Sequence, residues 1–252
     1  MLEVKNLTVQ YGESVIVHNV SFSVREGWLT VLAGPNGAGK STIVNAVSQG
    51  AAYTGSILYD GQDISKIKPR QLAKKIGVLT QSRQVAYPFS VGEIVKLGRY
   101  SYSSGMSGFM AGDDMEHVKA ALEMTGMTRQ VNQSALTLSG GELQRVFLAQ
   151  IFAQNPNLLI LDEPANHLDI AYQKHIFELI GRWLKKPKRA VLAVVHDLSF
   201  AKTYGTHAVL LNEGSVVSFG ETKRVMTKEN LKQAYGIDVY AWMRDMMSQW
   251  EE

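Results

Sequence analysis

The sequence predicts an α/β fold: a core built on a mixed sheet, an N-terminal antiparallel β subdomain and an inserted α-helical subdomain. Three observations carry this. Apolar and polar side chains alternate from Leu2 to Val24, the pattern of strands with one buried face. Short, continuous apolar runs then take turns with segments of helical period, which is how strands covered on both faces read in an α/β sheet. Between Ser90 and about Gln133 the period turns helical on both sides of one loop.

In chain order, Leu2 to Val9 and Ser14 to Val24 flank the Tyr11-Gly12 break and read as an antiparallel pair. Trp28 to Ala33 is a continuous apolar strand running into the glycine-rich segment Gly34 to Gly39, and a helix carrying Ile43, Val44, Ala46 and Val47 is expected from about Lys40. Gly55 to Gly61 and Ile76 to Thr80 read as strands that flank one sheet. The helical stretch that follows carries Val91, Ile94, Val95 and Leu97, then Val118, Ala121, Leu122 and Met124, and a Ser/Gly/Met-rich loop at 101–112 interrupts it. Leu143 to Ala153 and Ala171 to Trp183 are expected as helices, and Leu158 to Leu161 and Val191 to Val195 as buried strands. A hairpin across Asn212-Glu213-Gly214 and short helices complete the chain. This organises residues 1–252 as one domain, with a core at about 1–84 and 156–240, a helical subdomain at about 85–155 and a terminal helix at about 241–252.

Bulk composition narrows the partners. The 26 basic and 23 acidic residues leave a net charge of +3, too little one-signed field to argue for wrapping nucleic acid. Cysteine is absent, so neither a disulfide framework nor a thiolate metal site is available. The N-terminus has no basic start followed by an apolar run, and no stretch reaches the roughly 18 apolar residues a membrane span requires. A role at a membrane is therefore expected to be that of a peripheral subunit, one that stays where it is made.

Gly34-Pro35-Asn36-Gly37-Ala38-Gly39-Lys40-Ser41-Thr42 matches the Gly-x4-Gly-Lys-Ser/Thr phosphate-binding loop in full, between a strand and a helix as its mechanism requires. Glycines let the backbone curl so that N–H groups point at phosphate oxygens, and the helix N-terminus adds positive potential. Lys40 is expected to bridge the outer phosphates and Ser41 to hold Mg2+. The predicted core is thus a P-loop NTPase core. Leu158 to Leu161 delivers a second anchor, Asp162 and Glu163, to a strand C-terminus, where ligands bind in open sheets. Asp162 suits Mg2+, and Glu163 is placed to orient or deprotonate an attacking water.

Leu138-Ser139-Gly140-Gly141-Glu142-Leu143-Gln144-Arg145 resembles the signature motif of the ABC ATPases, and it precedes the Asp162-Glu163 strand as it does in that family. Ser139 is a good N-cap, the glycine pair admits close approach of backbone to a ligand, and the helix start is a second anion-seeking end. The resemblance implies a head-to-tail dimer that clamps two ATP molecules, each held by Lys40 and Ser41 of one copy and by Ser139, Gly140 and Gly141 of the other. It also implies that Tyr11 stacks on adenine and that Gln81 reaches Mg2+ and the water. Gln84 competes with Gln81 for that role. His196 would contact the terminal phosphate, and Asp169, in Asn166-His167-Leu168-Asp169, would cross the dimer interface. Ala165 and Asn166 stand where many members carry hydroxyl residues.

The segment Ala86 to Tyr100 and the segment Leu231 to Val239 resemble cassettes of importers for iron chelates, haem and cobalamin. That resemblance implies transmembrane permease subunits as partners, a substrate-binding protein acting through them, and a place on the cytoplasmic face of the membrane. Tyr87, Pro88 and Phe89 either dock a permease helix or form a small satellite core. Trp242, Met243, Met246, Met247 and Trp250 recur at helical spacing, as a contact surface or as a stripe packed on its own domain. A soluble ABC ATPase without a permease, such as one serving iron-sulfur cluster assembly, is the alternative the motifs leave open.

Overall fold

The computed structural model describes residues 1–80, 85–102, 112–166 and 168–250. Its strands are β1 (Leu2–Tyr11), β2 (Ser14–Val24), β3 (Leu29–Ala33), β4 (Thr54–Tyr59), β5 (Gln62–Asp63), β6 (Ile76–Leu79), β7 (Leu158–Asp162), β8 (Ala190–Val194), β9 (His207–Asn212) and β10 (Ser215–Glu221). The α-helices are α1 (Lys40–Val47), α2 (Pro69–Leu72), α3 (Val91–Leu97), α4 (Gly112–Thr125) and α5 (Gly140–Gln154), followed by α6 (Ile170–Leu184), α7 (Leu198–Tyr204), α8 (Thr222–Val225), α9 (Lys228–Tyr235) and α10 (Val239–Ser248). Contacts divide the chain into one unit of Met1–Ile64 with Leu192–Glu252 and a second of Ser65–Val191.

In the first unit, alternation in the N-terminal segment becomes an antiparallel sheet. β1 pairs with β2 on one side and β4 on the other, and β5 extends β4. Leu2, Val4, Leu7 and Val9 of β1 are buried together with Val17, Val20 and Ile57. The same unit holds the mixed sheet the sequence predicts, because β9 runs parallel to β3 and antiparallel to β10. The β9–β10 turn has φ of 44° at Glu213 and 74° at Gly214, the double left-handed step that matches the twist of paired strands. The Gly214 carbonyl accepts from the His18 N–H at 2.8 Å, tying the hairpin to β2.

In the second unit, β6 lies parallel to β7, with Leu79 opposite Leu161. This corrects one expectation. The strands at Gly55–Gly61 and Ile76–Thr80 do not flank one sheet: β4 completes the antiparallel sheet, whereas β6 joins β7. Pairing follows burial on both faces rather than proximity in the chain. Gly77 shows the pressure on β6, since a Cβ there would lie 2.5 Å from Ile151 of α5.

Helix α5 also starts earlier than its apolar period suggests, at Gly140 instead of Leu143. The poor helix propensity of two glycines is overridden by the cap at Ser139. Arg99 and Asp114 form an ion pair of 2.7 Å in the helical region, both nearly fully buried, and Arg99 also donates to the Ala153 carbonyl at 2.9 Å. Most of the loop at 101–112 lies outside the described residues.

The division falls within β8. The Ala190 N–H donates to Asn157 O in the second unit, and Val195, just past β8, donates to Leu32 O in the first. The apolar stripe of α10 is exposed: Trp242, Met246, Met247 and Trp250 all stand in solvent. No helix among the described residues is long and apolar enough to cross a membrane.

Candidate functional site

The glycine-rich loop sits between β3 and α1. Gly34, Gly37 and Gly39 have φ of 146°, 80° and 89°, conformations that side-chain-bearing residues rarely adopt. Gly34 is fixed sterically as well, because a Cβ there would stand 2.2 Å from the Leu211 carbonyl oxygen at the end of β9. Lys40 opens α1 and is buried, its Nζ donating to Gly34 O at 2.9 Å and Pro35 O at 2.8 Å. An ammonium taken out of water needs such acceptors, and these hold it over its own loop. Asn36 and Gly37 are exposed, Ala38 and Gly39 are buried, and Ser41 and Thr42 occupy the first turn of α1. The curled backbone, the helix start and a lysine held over the loop are the features that suit a triphosphate.

Tyr11 is half exposed and accepts a hydrogen bond from Asn45 Nδ2 of α1 at 3.3 Å, so the ring is linked to the helix that the loop opens. His196 follows Val195, whose N–H bonds the Leu32 carbonyl beside the end of β3. It is exposed at the sheet edge from which the loop departs. One residue the sequence reading passed over joins this group. The Gly34 N–H donates to the hydroxyl of Tyr235, the last residue of α9, and burial pushes that hydroxyl's pKa up while the bond draws it down.

The second unit holds the remaining predicted residues. Asp162 ends β7 and is buried, and Glu163 follows in a left-handed conformation with φ of 55°. Pro164 O accepts from Gln144 Nε2 of α5 at 2.6 Å, so the turn after the two carboxylates is anchored to the signature helix. Ser139 caps that helix through a reciprocal capping box. Its N–H and hydroxyl donate to Glu142 Oε2 at 2.9 and 2.8 Å, and the Glu142 N–H returns to Ser139 Oγ at 3.4 Å. These bonds, the backbone one foremost, hold the Glu142 carboxyl below the usual carboxylate range.

Gly140 is open to solvent, whereas Gly141 lies under the ring of Tyr172, where a Cβ would meet ring carbon at 2.8 Å. Asp169 is the N-cap of α6 and accepts from the Tyr172 N–H at 3.0 Å. Gln81 and its competitor Gln84 lie outside the described residues. Among the described residues, no cluster of three or more His, Asp or Glu encloses a metal ion on its own.

Tyr87 and Phe89 are exposed and touch edge to face, with ring centroids 6.2 Å apart. They therefore stand at the surface rather than inside a satellite core.

Known proteins resemble this chain along nearly its whole length. The iron(3+)-hydroxamate import ATP-binding protein FhuC of Bacillus subtilis (strain 168) is 37% identical over 238 residues, which cover 94% of this chain and 88% of that one. The hemin import ATP-binding protein HmuV of Jannaschia sp. (strain CCS1) is 36% identical, covering 94% and 87%. Among solved structures, the ADP conformation of an ATP-binding cassette of an ABC transporter shares the fold, with a TM-score of 0.82 at 24% identity over 93% of this chain and 98% of that one. A dimeric, post-hydrolysis ATP-binding cassette bound to ADP and Pi is 28% identical, with a TM-score of 0.75 over 88% and 99%. The family model for the ABC transporter matches residues 17–166, and the chain belongs to that family as one of its ATP-binding cassettes, an ATPase of the kind coupled to transport.

Proposed function

We propose that this chain is the ATP-hydrolysing subunit of an importer for an iron chelate or haem, working as a head-to-tail dimer beneath a membrane permease on the cytoplasmic face. The observation that carries the reading is likeness over nearly the full length to cassettes named for hydroxamate and hemin import. The dimer is supported by the similar cassette solved as a dimer with ADP and Pi, and by the two anion-seeking helix starts at Lys40 and Gly140. A single triphosphate needs only one of them.

In this reading Lys40 and the backbone of Asn36 to Thr42 hold the phosphates and Tyr11 holds the adenine. Ser41, Gln81 and Asp162 are the protein groups that would hold Mg2+, which would supply positive charge against the negative charge of the phosphates. Glu163 takes the proton of the attacking water, and His196 donates to the terminal phosphate. Ser139, Gly140 and Gly141 close on the nucleotide of the second copy, and Asp169 lies near that interface. Tyr87 and Phe89 offer exposed aromatic anchors of the kind that interfaces use for a permease. Cargo is bound by the substrate-binding protein and the permease and never meets these residues.

The test is co-purification from membranes followed by reconstitution in vesicles. ATPase activity that rises with a multi-span permease and with its binding protein loaded with an iron chelate or haem is the expected result. Purification with soluble cluster-assembly proteins alone, and no stimulation by any permease, would overturn it.

A further inference from the structure

The carboxylate of Glu163 is held by a neighbour. Glu163, Pro164, Ala165 and Asn166 form a four-residue turn, closed by the Asn166 N–H donating to the Glu163 carbonyl at 3.2 Å. Across the same turn the Asn166 side-chain amide donates from Nδ2 to Glu163 Oε2 at 2.5 Å. We propose that Asn166 is a positioning residue for ATP hydrolysis, its amide aiming the Glu163 carboxylate at the attacking water. The proposal rests on the reading of Glu163 as the general base.

Three physical arguments support it. An ionised carboxylate only accepts, so the amide must present its nitrogen, and a charge-assisted bond of this kind is about twice as strong as a neutral one. A glutamate side chain has several rotamers to lose on ordering. Engaging Oε2 fixes the plane of the carboxylate, and with it the direction in which the other oxygen's lone pairs point. A base aimed in advance does not lose that freedom at the moment of reaction.

The backbone points the same way. Glu163 has φ of 55°, a left-handed conformation that is unfavourable for an ordinary residue and persists only where its surroundings over-determine it. Here proline stands at the second turn position, which it favours, and Gln144 grips the Pro164 carbonyl. Asn166 closes the turn through both its backbone and its side chain. A purely structural asparagine would need only the backbone bond. The side-chain bond is spent on the one group in the turn with acid–base chemistry.

The experiment compares Asn166→Ala, Asn166→Asp and Glu163→Gln, and each Asn166 variant combined with Glu163→Gln, in the full chain with Mg-ATP. The kcat, the KM and nucleotide affinity are read, with thermal unfolding as the folding control. Asn166→Ala is expected to lower kcat by about ten- to a hundredfold, the scale of a misaimed group, with nucleotide affinity within about twofold of wild type. Asn166→Asp keeps the shape but replaces the donor with an acceptor of like charge, so its kcat falls further. Both substitutions are expected to be silent when Glu163 is already glutamine, because residues acting as a unit are not additive.

A wild-type kcat in Asn166→Ala beside an inactive Glu163→Gln overturns the proposal alone. An equal loss in the Glu163→Gln background does the same, because the asparagine then acts through some other group. Near-normal turnover in Glu163→Gln overturns the general-base reading and the proposal with it.

Discussion

At the scale of single residues, the phosphate loop separates two kinds of glycine. Gly37 has φ of 80° with no atom within 4 Å of where a Cβ would be, whereas Gly34 has φ of 146° and would drive a Cβ to 2.2 Å from the Leu211 carbonyl. Gly37→Ala should therefore cost only the left-handed conformation, about 1–2 kcal/mol. Gly34→Ala adds a clash with backbone that no rotamer relieves, and it should cost more than about 3 kcal/mol and abolish nucleotide binding. Thermal unfolding and ATP titration of the two variants would check this, and equal behaviour would contradict it. Gly34 matters doubly, because its carbonyl accepts from Lys40 and its N–H from the same peptide neighbourhood donates to Tyr235.

Among the elements, the stability of the helical region depends on a buried ion pair. Arg99 and Asp114 join the turn after α3 to the first turn of α4, with side chains 5% and 7% exposed. Removing one partner leaves the other charge buried without its counter-ion. Asp114→Ala is expected to destabilise the protein by about 3–5 kcal/mol, whereas replacing both residues by apolar ones of similar volume should cost far less. Urea unfolding of the single and double variants makes the comparison, and an unchanged midpoint in Asp114→Ala would count against it. The N-cap at Ser139 was readable from the sequence, and the structure adds its reciprocal bond with Glu142 and a like capping box at Ser90. The true start of α5 was not, because helix propensity disfavours the glycines that the cap draws in.

In the whole molecule, the head-to-tail dimer proposed above would make assembly depend on Ser139. Glu163→Gln is expected to bind ATP, to form a dimer and to lose at least about 10²-fold in turnover, the contribution of a general base. Adding Ser139→Asp preserves a capping oxygen for α5 but sets a carboxylate where the second copy's phosphate would arrive, so the dimer should dissociate. Sedimentation with and without ATP distinguishes these outcomes, and a dimer indifferent to Ser139 would remove the signature helix from the mechanism.

Whatever is local could be read from the order of residues. Gly34 to Thr42 is contiguous, so its chemistry is legible before any fold is known, and the burial of β1, β7 and β8 follows from periods of two and from unbroken apolar runs. The family was likewise legible, because its motifs are short and ordered along the chain. Tertiary structure alone decided which strands became neighbours, placing β6 against β7 instead of beside β4, since pairing depends on what covers both faces of a strand. It alone brought Tyr235 of α9 to Gly34 and the Tyr172 ring against Gly141. The bond from Asn166 to Glu163 is an intermediate case. The spacing is local, but the left-handed backbone that turns the two side chains toward each other is a property of the folded turn and not of the residue types.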